Sequence, residues 1–151
     1  MFVPRNYSIV SGVGESKFPL VAFDNALRNA GIGDYNLVKV SSILPAHCVY
    51  KEKIDIEKGS ILFTAYASMV VQDGQCGSVA TATAIPLSNT ESGVIFETSS
   101  KNNDAENIVR EMCCEAMINR DKYYKEIKSS FIQLQGKKDV FTCGVSAVVM
   151  W

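Results

Sequence analysis

Apolar and polar positions alternate along most of this chain, and two segments break the alternation with helical spacing. Tyr7 to Val13 has strand character, and Gly12-Val13-Gly14-Glu15-Ser16 reads as a Gly-rich turn closing it. Leu20, Phe23, Leu27 and Ala30 then share one helical face, with Pro19 suited to the first turn and Gly31 to the stop. Asn36 to Pro45, "NLVKVSSILP", reads as a buried strand, although two serines sit in its middle. Ile61 to Gln72 is a long β-type run, and Gln72 to Gly77 reads as a hairpin turn leading back into the small-residue strand Ser78 to Ile85. Val94 to Thr98 predicts another strand. Asn103 and Glu106 have the spacing of a capping box, ahead of a stripe of Ala105, Ile108, Val109, Met112, Ala116 and Met117. Val140 to Trp151 predicts the last strand. Two main helices and about six strands cannot make a long parallel sheet covered on both faces. The pattern therefore predicts an α+β layered sandwich of mostly antiparallel sheets, in a single domain spanning residues 1–151.

Composition narrows the function classes. A hydrophobic content of 47% supports a core without covalent staples. The net charge of −1 and the lack of a basic stripe argue against a nucleic-acid partner. No apolar run is long enough for a membrane span, and "MFVPRNYS" lacks the basic and apolar regions of a signal peptide, so a cytoplasmic location is expected. The five cysteines (Cys48, Cys76, Cys113, Cys114, Cys143) form no CxxC pair, and His47 is the lone histidine, so no metal site is expected. Reduced, partly buried thiols are the simpler reading, and His47 and Cys48 are neighbours in sequence only. "GVGES" lacks the second half of a dinucleotide fingerprint and any Gly-Lys-Ser/Thr ending.

Three places carry candidate chemistry. Asp24 falls on the apolar face of the first helix; it either sits at the stripe's edge in water or is a carboxylate aimed at a cationic partner. Glu97 shares a strand face with Ile95; it is either a solvated edge carboxylate or a buried one with a raised pKa. Ser41-Ser42 is ambiguous by itself, since Ser99-Ser100 and Ser129-Ser130 repeat the dipeptide where loop or helix-end chemistry suffices. In a sharply turned backbone, however, a serine hydroxyl can attack the preceding carbonyl to give an ester. β-Elimination then cuts the chain, and hydrolysis of the dehydroalanine end leaves a pyruvoyl group and ammonia.

The stretch "PLVAFDNALRNAGIGDYNLVKVSSILP", Pro19 to Pro45, resembles the pyruvoyl-dependent arginine decarboxylases, with their AFD…NAGIG…NL…SSI-P signature. "GSILFTAYA" (Gly59 to Ala67), "GVIFE" (Gly93 to Glu97) and "NIVREM" (Asn107 to Met112) extend the resemblance over most of the chain. It implies a four-layer αββα sandwich that assembles as a trimer or a dimer of trimers, with active sites between subunits. It also implies cleavage between Ser41 and Ser42 into a β fragment, 1–41, and an α fragment, 42–151. Ser42 would become the covalent pyruvoyl group, with no pyridoxal phosphate and no metal. Asn36 would help polarise the processing carbonyl, Glu97 would protonate the product carbanion, and Asp24 would meet the substrate guanidinium. The implied reaction takes L-arginine to agmatine and CO2 through a Schiff base, with polyamine synthesis and acid resistance both open as its purpose. Ala46 stands where the family has a second proline, Phe63 where proline is expected, and Ala67 where glycine is expected; "TSSKNN" after Glu97 also departs from the pattern. Two other readings are a pyruvoyl decarboxylase of another amino acid and an unprocessed trimeric scaffold. Asp24 favours a cationic substrate, and a scaffold has no use for Ser41, Ser42, Asn36 and Glu97 together.

Overall fold

The computed structural model describes residues 2–151. Their strands form two sheets. The five-stranded sheet has the order β2(Asn36–Lys39), β5(Ile61–Val71), β9(Phe141–Met150), β1(Asn6–Ser16), β4(Val49–Tyr50). The four-stranded sheet has the order β3(Ile43–Leu44), β7(Gly93–Ser100), β6(Cys76–Pro86), β8(Tyr124–Gln135). Helix α1(Pro19–Asn29) covers the outer face of the first sheet through β1 and β9, and α2(Ala105–Ile118) covers the outer face of the second through β6, β7 and β8. The result is the expected αββα sandwich. Of the nine strands among the described residues, six are long, and pairing is antiparallel except for β1 with β4 and β2 with β5.

Several local expectations change. Residues 12–16 continue β1 rather than turning, because the glycines serve packing. A Cβ on Gly12 would come within 2.3 Å of the Ala26 carbonyl oxygen, and one on Gly14 within 2.3 Å of the Ala26 amide nitrogen. The helix therefore rests directly on β1, with its buried side chains at Ala22 and Ala26. Leu20, placed by its spacing on the inner face, is 78% exposed. Gly14→Ala is expected to lower stability by about 1–3 kcal/mol, because the helix must move off the strand. Urea unfolding checks this, and an unchanged midpoint would show that the helix accommodates a methyl group.

The turn at residues 72–77 is not a hairpin. β5 and β6 belong to opposite sheets, so the connection around Gly74 (φ +78) arches across the sandwich. β8 has no counterpart among the predicted strands. Its apolar residues switch face along its length, with Ile127 and Phe131 packing toward α2 and Ile132 and Leu134 toward the opposite sheet, so no single alternation marks it. Ser99-Ser100 and Ser129-Ser130 consequently lie in strands, β7 and β8, rather than in loops or at helix ends. The capping box does not form either. Asp104 is the N-cap residue and makes no side-chain cap bond. The Ala105 amide instead donates to Ser78 Oγ on β6 at 3.2 Å, and Glu106 accepts from Ser129 at 2.7 Å. Tertiary partners displace the local ones at this helix start.

Candidate active site

The run from Asn36 to Pro45 is two strands in different sheets. β2 forms the edge of the first sheet, pairing Asn36–Lys39 with Ile61–Thr64, and the Val40 amide adds one more bond to the Thr64 carbonyl at 3.1 Å. β3 forms the edge of the second sheet, pairing Ile43 and Leu44 with Val94 and Gly93. Ser41 and Ser42 make the crossing. There the Ile43 amide donates to the Ser41 carbonyl at 3.0 Å, the i→i+2 bond of a three-residue turn centred on Ser42. The Ile95 amide donates to the Ser42 carbonyl at 2.8 Å, fastening the turn to β7.

That bond places the serine pair beside Glu97. Glu97 lies opposite Thr81 on β6, and directly opposed residues share a sheet face. Thr81 faces the space between the sheets, its Oγ1 2.7 Å from Ser146 Oγ on β9. Ile95, two residues before Glu97, is fully buried in the same inter-sheet layer with Ala65 and Val148. Glu97 is therefore the next inward side chain along β7 from the strand position that holds Ser42. Burial raises its pKa, and the positive charge of Lys39 partly opposes the rise. The Lys39 ammonium donates to the Tyr66 carbonyl at 3.0 Å and lies 4.6 Å from the centroid of the Tyr66 ring. Sequence reasoning passed over Lys39; its one signal was a cation inside the apolar run two residues before the serine pair.

The other two candidates lie apart from this group in a single subunit. Asp24 is exposed on α1, which covers the outer face of the first sheet, whereas Glu97 faces the inner layer. Around it Phe18, Leu20 and Val21 are also exposed. Asn36 begins β2, about 10 Å along the strand from Lys39 at roughly 3.3 Å per residue. Its side-chain amide donates to the Gly59 carbonyl at 2.7 Å. A cavity of about 470 Å³ opens beyond Pro45, lined in part by Tyr7, Cys48, Tyr50 and Lys128. It contains neither Ser42 nor Glu97. Cys48 there is pushed up to about 11 by burial, so it stays a protonated thiol, and His47 points out on an exposed turn with φ 61. Nothing about that pair makes a nucleophile and base.

Among the described residues, no group of three or more His, Cys, Asp or Glu side chains is arranged to hold a metal ion. None of their helices is long and apolar enough to cross a membrane. The residues do suit a pyruvoyl group at position 42. The serine that would yield it occupies a tight turn, its carbonyl is anchored to β7, and an acid with a raised pKa lies on the same strand.

Fold and site together define an αββα sandwich with a serine pair at the crossing between its sheets and, further along the adjoining strand, a half-buried glutamate whose pKa burial raises. The sequence profile described as pyruvoyl-dependent arginine decarboxylase matches residues 6–151. A pyruvoyl-dependent arginine decarboxylase of Methanocaldococcus jannaschii is 33% identical, covering 99% of this chain and 91% of its own length. Those of Methanothermobacter thermautotrophicus and Thermococcus kodakarensis are 36% and 35% identical, covering 99% and 98% of this chain and 98% and 96% of their own lengths. The chain belongs to the pyruvoyl-dependent arginine decarboxylase family.

Proposed function

We propose that this chain is a self-processing decarboxylase that cuts itself between Ser41 and Ser42 and converts arginine to agmatine and CO2. The observation that carries the reading is the Ile95-to-Ser42 hydrogen bond, which puts the turned serine pair next along β7 to a carboxyl group with a raised pKa. In the first step Ser42 Oγ bonds to the Ser41 carbonyl carbon, the Ser41–Ser42 C–N bond breaks, and the hydroxyl proton ends on the Ser42 nitrogen. Elimination then removes the Ser42 α-proton and releases Ser41 as a carboxylate, and water hydrolyses the dehydroalanine end to the pyruvoyl group with loss of ammonia. The cut chain holds together, because β1 stays paired between β9 and β4 while β2 stays paired with β5.

The pyruvoyl carbonyl supplies a Schiff-base electron sink for the departing carboxylate. The rest belongs to the chain. Burial raises the Glu97 pKa and so favours the protonated form, which delivers its proton to the product carbon. Asp24 offers a carboxylate to the guanidinium, a bidentate match that a lysine ammonium does not reproduce. Asn36 is assigned to the processing carbonyl.

Asp24 and Glu97 work on one substrate only if subunits associate. The exposed Phe18, Leu20 and Val21 beside Asp24 are an apolar surface suited to such a contact, so a trimer with sites between subunits is the assembly that completes the pocket. The test is an intact mass after incubation, with release of CO2 measured from arginine, lysine and histidine. Fragments 1–41 and 42–151 and a preference for arginine are expected. A folded chain that stays uncut would sink the proposal, and a preference for lysine or histidine would remove the role of Asp24.

A further inference from the structure

We propose that the buried hydroxyls of Thr81 and Ser146 are positioning residues for Glu97: they offer its carboxyl group an acceptor and withhold a donor, so that the acid retains the proton it delivers. The inference rests on the reading of Glu97 as proton donor and deepens it, by naming what besides burial favours the protonated form.

The two hydroxyls meet across the space between the sheets. Thr81 Oγ1 on β6 lies 2.7 Å from Ser146 Oγ on β9, and both residues are fully buried. The same layer is otherwise apolar, with Ala65, Ile95 and Val148. A hydroxyl buried there costs free energy unless it is bonded, so each is committed to its partner. The far end sets the order of the protons. Ser146 Oγ donates to the Ser130 carbonyl on β8 at 3.2 Å, and a carbonyl only accepts. Each hydroxyl has one proton, so Ser146 accepts the proton of Thr81, and Thr81 keeps only lone pairs for any further partner. Thr83, two residues along, instead directs its hydroxyl to the Val94 carbonyl at 2.9 Å, within its own sheet.

Glu97 stands directly opposite Thr81, on the same face. Opposed Cβ atoms in a sheet are about 5 Å apart, within reach of the carboxyl group of a glutamate. A protonated carboxyl group has an O–H to give to Thr81, whereas a carboxylate has only acceptors and meets another acceptor there. The hydroxyl chain therefore favours the neutral acid, in the same direction as burial. Among the described residues no donor is bonded to the Glu97 carboxyl group, and Lys39 on β2 is the one charge acting on it. The Tyr66 and Cys143 side chains lie on the outer face of the first sheet, and α2 with its charged residues covers the outer face of the second.

The test titrates Glu97 directly. The chain is labelled with carbon-13 at its glutamate carboxyl groups, and the Glu97 signal is identified by its loss in Glu97→Gln. Its chemical shift against pH gives the midpoint, and kcat against pH is measured beside it. Folding of each variant is checked by circular dichroism and cleavage by intact mass. Ser146→Ala frees the Thr81 proton to donate to the carboxylate. The Glu97 midpoint is expected to fall by about one pH unit, and the decline in kcat to begin at correspondingly lower pH, with KM for arginine unchanged. Ser146→Cys fills the same space with a weak acceptor and is expected to shift the midpoint the same way, a second reading for a chain sensitive to lost volume. Thr81→Ser keeps the hydroxyl and is expected to titrate as the parent does. In a Thr81→Val background, Ser146→Ala is expected to add no further shift. An unmoved midpoint in the folded Ser146 variants would overturn the proposal. So would a full shift in Thr81→Ser, which would assign the effect to packing, and so would an undiminished shift from Ser146→Ala beside Thr81→Val, which would give Ser146 another route. Failure of the underlying reading has a different signature: the midpoint moves as expected but kcat does not follow it. That result would remove Glu97 as the proton donor, and this inference with it.

Discussion

Ser42→Ala is expected to give a folded, uncut 151-residue chain with no detectable decarboxylation. In the proposed reaction the hydroxyl is both the nucleophile that breaks the backbone and the source of the carbonyl that later takes the substrate amine, so its loss would remove two steps at once. The fold does not depend on it: the hydrogen bonds at position 42 and Ile43 are main-chain bonds, and the Ser42 hydroxyl takes no part in them. Intact mass reads the first consequence, and CO2 release from arginine reads the second. An alanine variant that still splits between residues 41 and 42 would require another nucleophile, and the assignment of the pyruvoyl position would fail.

Glu97→Gln is expected to separate processing from turnover. Cleavage should proceed, because the attack on Ser41 needs no acid at position 97. Turnover should fall by about 100- to 10,000-fold, the range for loss of a positioned general acid. The pH profile supplies a sharper reading. Burial raises the Glu97 pKa and Lys39 opposes it, with burial the larger effect. In the proposed role the protonated form is the active one, so kcat should hold below the folded-state pKa and decline as pH rises through it. The glutamine variant should lose that decline. Its kcat against pH, set beside the parent's, checks the assignment. Normal turnover with the decline intact would place the proton donor on another residue.

Both variants test residues whose identity was legible in the chain and whose relation was not. Ser42 stood out only through its long setting, Pro19 to Pro45, since the same dipeptide at Ser99 and Ser129 lies in ordinary strands. Glu97 could be placed on the face of Ile95 by the two-residue period of a strand, and the structure puts both in the inner layer. The period could not say which sheet that face would meet. Asp24 shows the limit of spacing in another way. Its helix was predicted correctly, but the deepest contacts are Ala22 and Ala26 on Gly12 and Gly14, where a missing Cβ matters more than a large apolar side chain. This turned Leu20 and Asp24 outward.

The sequence by itself determined the α+β class, the two helices, five of the six long strands, and the residue types a pyruvoyl chemistry requires. Those features depend on local periodicity and on a motif within one stretch of chain. The tertiary structure alone decided three others: that β5 and β6 arch between sheets instead of pairing, that β8 completes the second sheet, and that "NLVKVSSILP" is a crossing rather than a strand. Each depends on which partner a strand edge finds, and partners far apart in sequence leave no trace in the alternation of a single segment. The serine pair lies at the junction of two such edges, and its turn exists because β2 and β3 belong to opposite sheets.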